Sequence, residues 1–102
     1  VKLESKGYRN ILLYGAGEVA EILLGIIKER RDKPLKVLAL IDDKEEKQNK
    51  ELQGYKIISI GDIKDYDHDG IVIASYTFEE NIRQRLEGIG YPEKKIERFF
   101  SE

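Results

Sequence analysis

The feature that most constrains this chain is a glycine-rich segment between a strand-like run and an amphipathic stretch. Residues 10–14 are largely apolar, and Gly15, Gly17 and Ala20 follow them with the spacing Gly-x-Gly-x-x-Ala. A buried strand, a tight glycine turn and a helix in this order predict the first β-α unit of a parallel sheet. Apolar residues recur at helical spacing through residues 18–31, and we expect them to form one buried helix face. They are Val19, Ile22, Leu23, Ile26 and Ile27.

The rest of the chain continues the alternation of strands and helices. Further strand-like runs are residues 36–41, 54–58, 70–75 and 96–100. A second helix is marked by the apolar residues Phe78, Ile82, Leu86 and Ile89. Residues 60–66 are expected to form a helical turn, and the charged and amide-rich residues 44–53 a solvated loop. This order predicts an α/β, Rossmann-like three-layer fold with a mainly parallel sheet of four to five strands.

Each small residue of the glycine-rich segment has a physical task in holding a phosphate. Gly15 permits the tight turn, Gly17 lets a pyrophosphate approach the backbone, and Ala20 lets the helix pack closely on the strand. The N–H groups and the dipole of the helix N-terminus then attract the anion. The residues expected to surround the phosphate are Gly15, Ala16, Gly17, Glu18 and Val19.

An acidic pair at the end of the second strand is the expected partner of a ribose. Asp42 closes that strand 22 residues after Ala20, close to the position from which a carboxylate accepts hydrogen bonds from a ribose diol. Such an acid favours a ribose that carries no 2′-phosphate. Asp43 competes for the same role, and spacing alone does not separate the two.

Length, charge and composition exclude several classes of protein. The chain has 102 residues, a net charge of −2 and no cysteine. Its length fits one domain spanning residues 1–102. The charge argues against general nucleic-acid binding, and the lack of cysteine excludes disulfides and thiolate metal sites. No apolar run approaches the ~20 residues that span a bilayer, and we expect no membrane span and a cytoplasmic protein.

Two other patterns are interpreted as structural. The polar run Asp65, Asp67, His68 and Asp69 lacks a second histidine, so we expect a solvated loop and no metal site. Tyr91 and Lys95 have the Tyr-x-x-x-Lys spacing of short-chain dehydrogenases, but Pro92 between them predicts a loop. No catalytic residue is therefore assigned.

Three segments together resemble a known family. Residues 14–20, 39–43 and 52–58 combine the glycine-rich turn, a strand ending in paired aspartates and a later Gly-x-x-apolar strand. This combination resembles the small Rossmann-like domain, of CoA-binding type, at the N-terminus of nucleotide-sugar epimerases and dehydratases of polysaccharide biosynthesis. Residues 44–50 depart from the pattern because they are more lysine-rich and lack the usual glycine. The residues that the resemblance places around a nucleotide are Gly15, Gly17, Glu18, Asp42, Ala74, Ser75 and Tyr76.

The resemblance implies a binding domain that serves a separate catalytic domain. The chain lacks methionine and starts at Val1, so we expect a domain excised from a longer protein, with the rest of that protein as its partner. The first hypothesis is a domain that binds NAD or a nucleotide sugar. The alternatives are a non-catalytic regulatory or interaction domain, including one accessory to a methyltransferase or glycosyltransferase, and a CoA-type ligand sensor.

Overall fold

The computed structural model describes residues 7–29 and 35–98. Its strands are β1 (Asn10–Tyr14), β2 (Lys36–Ile41), β3 (Glu51–Leu52), β4 (Tyr55–Ile58), β5 (Gly70–Ile73) and β6 (Ile96–Arg98). Its helices are α1 (Glu18–Glu29) and α2 (Glu79–Gly88), with 3₁₀ segments at Ile60–Asp65 and Glu93–Lys95. The predicted ends of the first helix and the last strand, residues 30–31 and 99–100, lie outside the described residues.

The strands form one sheet in the order β3-β4-β2-β1-β5-β6. Every neighbouring pair is parallel except the antiparallel pair β3 and β4. Alternate β1 side chains face opposite ways, so that Ile11 and Leu13 belong to the core cluster under α1. Leu12 and Tyr14 belong to the cluster under α2. The predicted Rossmann-like three-layer fold with a mainly parallel sheet is therefore confirmed.

The prediction of four to five strands is wrong, because six strands occur within the described residues. The additional strand, β3, lies in the stretch that was expected to be a loop. Gln53 and Gly54 have φ values of 52° and 86°, and the two-residue turn that they form pairs Leu52 with Tyr55. Gly54 is thus part of this turn and not of the following strand. A two-residue strand that begins with an exposed glutamate is too short to show a hydrophobic period.

The buried face of α1 overlaps the predicted one only in part, at the buried Leu23 and the partly buried Val19 and Ile27. Ala20, Leu23 and Leu24 are its buried residues, whereas Ile22 and Ile26 are 58% and 48% exposed. Two apolar stripes overlap on this helix, about 100° apart around its axis. The sequence alone does not tell which of these stripes meets the sheet.

The second helix is also shorter than its apolar residues suggest. Ile82 and Leu86 are buried, whereas Phe78 and Ile89 are exposed because they flank the helix at either end. The preceding strand, β5, ends at Ile73, two residues earlier than predicted. Ala74 and Ser75 consequently belong to the connection that leads from the sheet to α2.

Asp69 joins the amino ends of β1 and β5. Its Oδ2 atom accepts the backbone N–H groups of Arg9 and Asn10, each at 2.8 Å. These backbone hydrogen bonds, from Asn10 and then Arg9, hold the pKa of the Asp69 carboxyl below its usual range.

We expect Asp69→Asn to flatten the acid side of the stability profile. A carboxyl whose pKa is lowered by folding adds stability above the pKa of about 3.9 of the unfolded chain, and this stability is lost as the pH falls through the lower pKa of the folded state. Urea unfolding of both proteins between pH 2 and 7 measures the effect. Equal losses of unfolding free energy toward low pH in the two proteins would contradict the prediction.

Candidate functional site

A cleft of about 480 Å³ lies at the carboxyl ends of β1, β2 and β5. The chain order reverses here, since β2 lies on one side of β1 and β5 on the other. Open α/β sheets bind ligands at such a reversal. The structure places all eight predicted site residues in its lining: Gly15, Ala16, Gly17, Glu18, Val19, Asp42, Asp43 and Ser75.

Gly15 begins the glycine loop, which we define as residues 15–17. Its φ is +116°, and a Cβ atom at this position would lie 2.8 Å from the carbonyl oxygen of Ala74. The Gly15 N–H donates to the carbonyl of Ile41 at 2.6 Å, and the Ala74 N–H donates to that of Tyr14 at 2.8 Å. The ends of β1, β2 and β5 thus meet at a position that requires glycine.

Gly17 differs from Gly15 in what surrounds it. A Cβ atom at Gly17 would meet no heavy atom within 4 Å. The Gly17 carbonyl accepts the N–H of Glu21 at 3.1 Å, which starts α1. Glu18, the first residue of this helix, is exposed. The backbone of Gly17 is therefore open to the approach of a ligand.

Asp42 uses its carboxylate to fasten two loops together. Its Oδ2 atom accepts the N–H of Ala16 at 2.9 Å, and its Oδ1 atom accepts the N–H of Lys44 at 2.9 Å. The Lys47 ammonium lies 3.9 Å from Oδ2. In this structure the carboxylate is thus occupied by groups of the chain itself.

Asp43 is also engaged, on the α2 side of the sheet. Its Oδ1 atom accepts the hydroxyl of Tyr14 at 2.6 Å, and its Oδ2 atom lies 3.1 Å from Nε of Arg85. Burial, reinforced by the hydrogen bond to Asp43, raises the pKa of the Tyr14 hydroxyl far above its usual value. Tyr14 therefore stays protonated at neutral pH and donates to Asp43.

The segment 74–78 forms the wall of the cleft opposite α1. The Ser75 hydroxyl accepts the N–H of Phe78 at 3.1 Å and so holds the turn that precedes α2. Tyr76 and Phe78 are large side chains that are exposed beside the cleft. This wall thus combines a turn held by a side-chain hydrogen bond with exposed aromatic surface.

The sequence reasoning missed two lysines of the cleft, Lys44 and Lys47. Both lie in the stretch that was interpreted as a solvated loop. Their spacing from the acidic pair was visible in the sequence. The turn that directs Lys47 back over the glycine loop, however, depends on contacts with other parts of the chain.

The polar run around His68 and the Tyr91–Lys95 pair, which were interpreted as structural, lie at the end of the sheet opposite to the cleft. His68 and Tyr91 precede β5 and β6, at their amino ends. The Tyr91 hydroxyl donates to Nε2 of His68 at 2.9 Å, while Nδ1 of His68 donates to the Tyr66 carbonyl at 2.7 Å.

Among residues 7–29 and 35–98, no group of three or more histidine or acidic side chains could hold a metal ion. No helix in these two ranges is long and apolar enough to cross a membrane.

Comparison with known proteins identifies a family and a related fold. A family model described as C2185-like, N-terminal matches residues 7–97. No curated protein matches the chain. The crystal structure of UDP-D-quinovosamine 4-dehydrogenase from Vibrio fischeri is similar, with a TM-score of 0.65 and 18% sequence identity. The likeness covers 88% of this chain and 75% of that chain, and it bears out a fold related to that of a nucleotide-sugar enzyme.

Proposed function

The chain belongs to the C2185-like N-terminal family, and we propose that it binds a nucleotide, NAD or a nucleotide sugar, in the cleft beside the glycine loop. The binding serves a sugar-nucleotide-modifying enzyme, an epimerase or a dehydratase of polysaccharide biosynthesis. In this proposal the domain holds the ligand, and the rest of the parent chain performs the reaction.

The open backbone of Gly17 is the observation that carries this proposal. A Cβ atom there would enter empty space beside the cleft. The packing of the free protein would therefore accept a side chain at this position and does not require glycine. A glycine that packing does not require, directly before the first turn of α1, leaves room for a phosphate against the N–H groups of the helix. The strand order places this turn at the reversal point of the sheet.

A second candidate is a non-catalytic regulatory or interaction domain that keeps the fold without a ligand. The observation that favours it is the engagement of both acidic residues. Asp42 holds backbone N–H groups, and Asp43 holds Tyr14 and Arg85, so neither carboxylate needs a ribose to satisfy it. The two candidates differ in whether any nucleotide binds at the glycine loop.

Backbone NMR titration distinguishes these candidates. Amide resonances of residues 15–20 are followed while NAD, UDP-glucose or coenzyme A is added to millimolar concentration. We expect NAD or UDP-glucose to shift them, with smaller changes at the amino ends of β5 and β6. No shift at the glycine loop with any of the three ligands would reject nucleotide binding and favour the second candidate. A response to coenzyme A alone would support the CoA-type sensor instead.

We expect Gly17→Val to weaken nucleotide binding by at least about tenfold, because the added side chain occupies the path of the phosphate. The substitution meets no atom of the free protein, so the variant should fold. Gly25→Val is the matched control, since Gly25 also has nothing within 4 Å and lies outside the cleft lining. Equal affinities of the two variants, measured by calorimetry, would show that the loop is not the binding site.

A further inference from the structure

The cleft around the glycine loop contains three carboxylates. Glu18, Asp42 and Asp43 all line the cleft. A phosphate that approaches Gly17 meets the repulsion of these carboxylates, which opposes the attraction of the helix N-terminus. A cation inside the cleft offsets this repulsion for a ligand that carries phosphate.

Lys47 supplies a positive charge at the glycine loop itself. Its ammonium donates a hydrogen bond to the carbonyl oxygen of Ala16 at 3.0 Å. It also lies 3.9 Å from the Asp42 carboxylate, and its side chain is 36% exposed. One ammonium thus faces both the Ala16 carbonyl of the glycine loop and the Asp42 carboxylate.

The backbone around Lys47 is fixed from several directions. The N–H of Lys47 donates to the Lys44 carbonyl at 3.0 Å, and the Gln48 side chain donates to the Asp42 carbonyl at 2.9 Å. The N–H of Asn49 donates to the Ile57 carbonyl of β4 at 2.8 Å. The turn is thus tied to the ends of two strands, which holds the lysine stem over the glycine loop.

We propose that Lys47 makes the cleft selective for phosphate-bearing ligands, with affinity rising with the number of phosphates. This inference rests on the proposed function, because it names the residue and the ligand chemistry of the same site. The ammonium offsets the charge of Asp42 and covers the Ala16 carbonyl, which would otherwise repel a phosphate. It also polarises the peptide between Ala16 and Gly17, which strengthens the Gly17 N–H as a donor.

The exposure of Lys47 allows a direct contact as well. Its ammonium has three donors, and the structure assigns one to Ala16. A phosphate that lies against the glycine loop can take another without breaking the first contact. Asp42, which holds both Ala16 and Lys44, then acts as a positioning residue for the loop and for this lysine.

Affinities for a series of ligands that differ in charge test the proposal. The probes are uridine, UMP and UDP, together with adenosine, AMP and ADP, so that the result does not depend on the base. We expect Lys47→Met to weaken the two diphosphates about tenfold, the monophosphates less, and the nucleosides not measurably. Lys47→Arg keeps the charge and should recover most of the diphosphate affinity.

Lys50→Met is the matched control, because Lys50 lies on the same turn, is exposed and does not line the cleft. It should change diphosphate affinity by less than about twofold, as is usual for a distant surface charge. Circular dichroism and amide NMR spectra check that each variant folds. We expect the difference in affinity between Lys47→Met and Lys50→Met to grow with the number of phosphates on the ligand.

Three outcomes would overturn the proposal, and they are distinct. If the wild-type chain binds the diphosphates and Lys47→Met matches Lys50→Met, the role of Lys47 is wrong while the proposed function stands. The same holds if Lys47→Met weakens nucleosides and diphosphates equally, since that indicates a structural effect. If the wild-type chain binds none of the six probes and neither NAD nor UDP-glucose, the proposed function fails together with this inference.

Discussion

Replacing Gly15 by alanine should lower the free energy of unfolding by about 3 kcal/mol, a large part of the 5–15 kcal/mol that is usual for a domain. The φ of +116° is unfavourable for any residue with a Cβ atom. The new methyl group would also lie 2.8 Å from the Ala74 carbonyl oxygen, which is backbone and is held by the hydrogen bond from Ala74 to Tyr14. The junction of β1, β2 and β5 therefore has to move.

Urea unfolding followed by circular dichroism measures this loss. Gly25→Ala serves as the control, since Gly25 lies in α1, has no positive φ and has nothing within 4 Å. Alanine in a helix interior should raise the stability by about 0.5–1 kcal/mol. A Gly15→Ala variant as stable as the wild-type chain would contradict the positive φ and the close Ala74 contact at Gly15.

Replacing Asp42 by alanine should lower the free energy of unfolding by about 2 kcal/mol in the absence of any ligand. The change removes the acceptor of the Ala16 N–H, and Ala16 is buried. It also removes the acceptor of the Lys44 N–H and the nearby partner of the Lys47 ammonium. A buried N–H without an acceptor carries a desolvation cost that water does not repay.

The measurement distinguishes a structural carboxylate from a ligand-binding one. Asp67→Ala is the control, because Asp67 is an exposed aspartate in the turn before β5, where a substitution should change stability by less than about 0.5 kcal/mol. If Asp42→Ala unfolds like the control while nucleotide affinity falls, the carboxylate serves the ligand and not the loop. A loss of stability in the free protein instead identifies it as part of the scaffold of the cleft.

The engagement of Asp42 changes how the acidic pair is interpreted. The sequence suggests a choice between Asp42 and Asp43 as the partner of a ribose. In the structure Asp42 faces the glycine loop, whereas Asp43 faces Tyr14 and Arg85 on the α2 side. A ribose that reached either carboxylate would have to compete with these contacts. The recognition that we propose therefore depends on phosphate charge and on Lys47.

Much of the fold follows from local patterns in the sequence. The apolar runs of β1, β2 and β5 are buried on both faces, and continuous runs of this kind are typical of central parallel strands. The glycine-rich turn between β1 and α1 has a local signature, because Gly15 needs a positive φ that other residues rarely adopt. These features determine the layers, the mainly parallel sheet and the position of the glycine loop.

Tertiary contacts decided what the local patterns left open. The face of α1 that meets the sheet is chosen by packing, since Leu24 is buried and Ile22 exposed although both are apolar. The strand β3 exists only because the Gln53–Gly54 turn folds it back on β4.

The partners of the charged residues at the cleft are likewise long-range. The sequence by itself determined that a glycine loop opens the first helix of a Rossmann-like sheet. Only the tertiary structure decided that Asp42 holds this loop and that Lys47 covers it, because both contacts join residues more than 25 positions apart in the chain. Such contacts depend on how the strand ends come together, which no local period or spacing encodes.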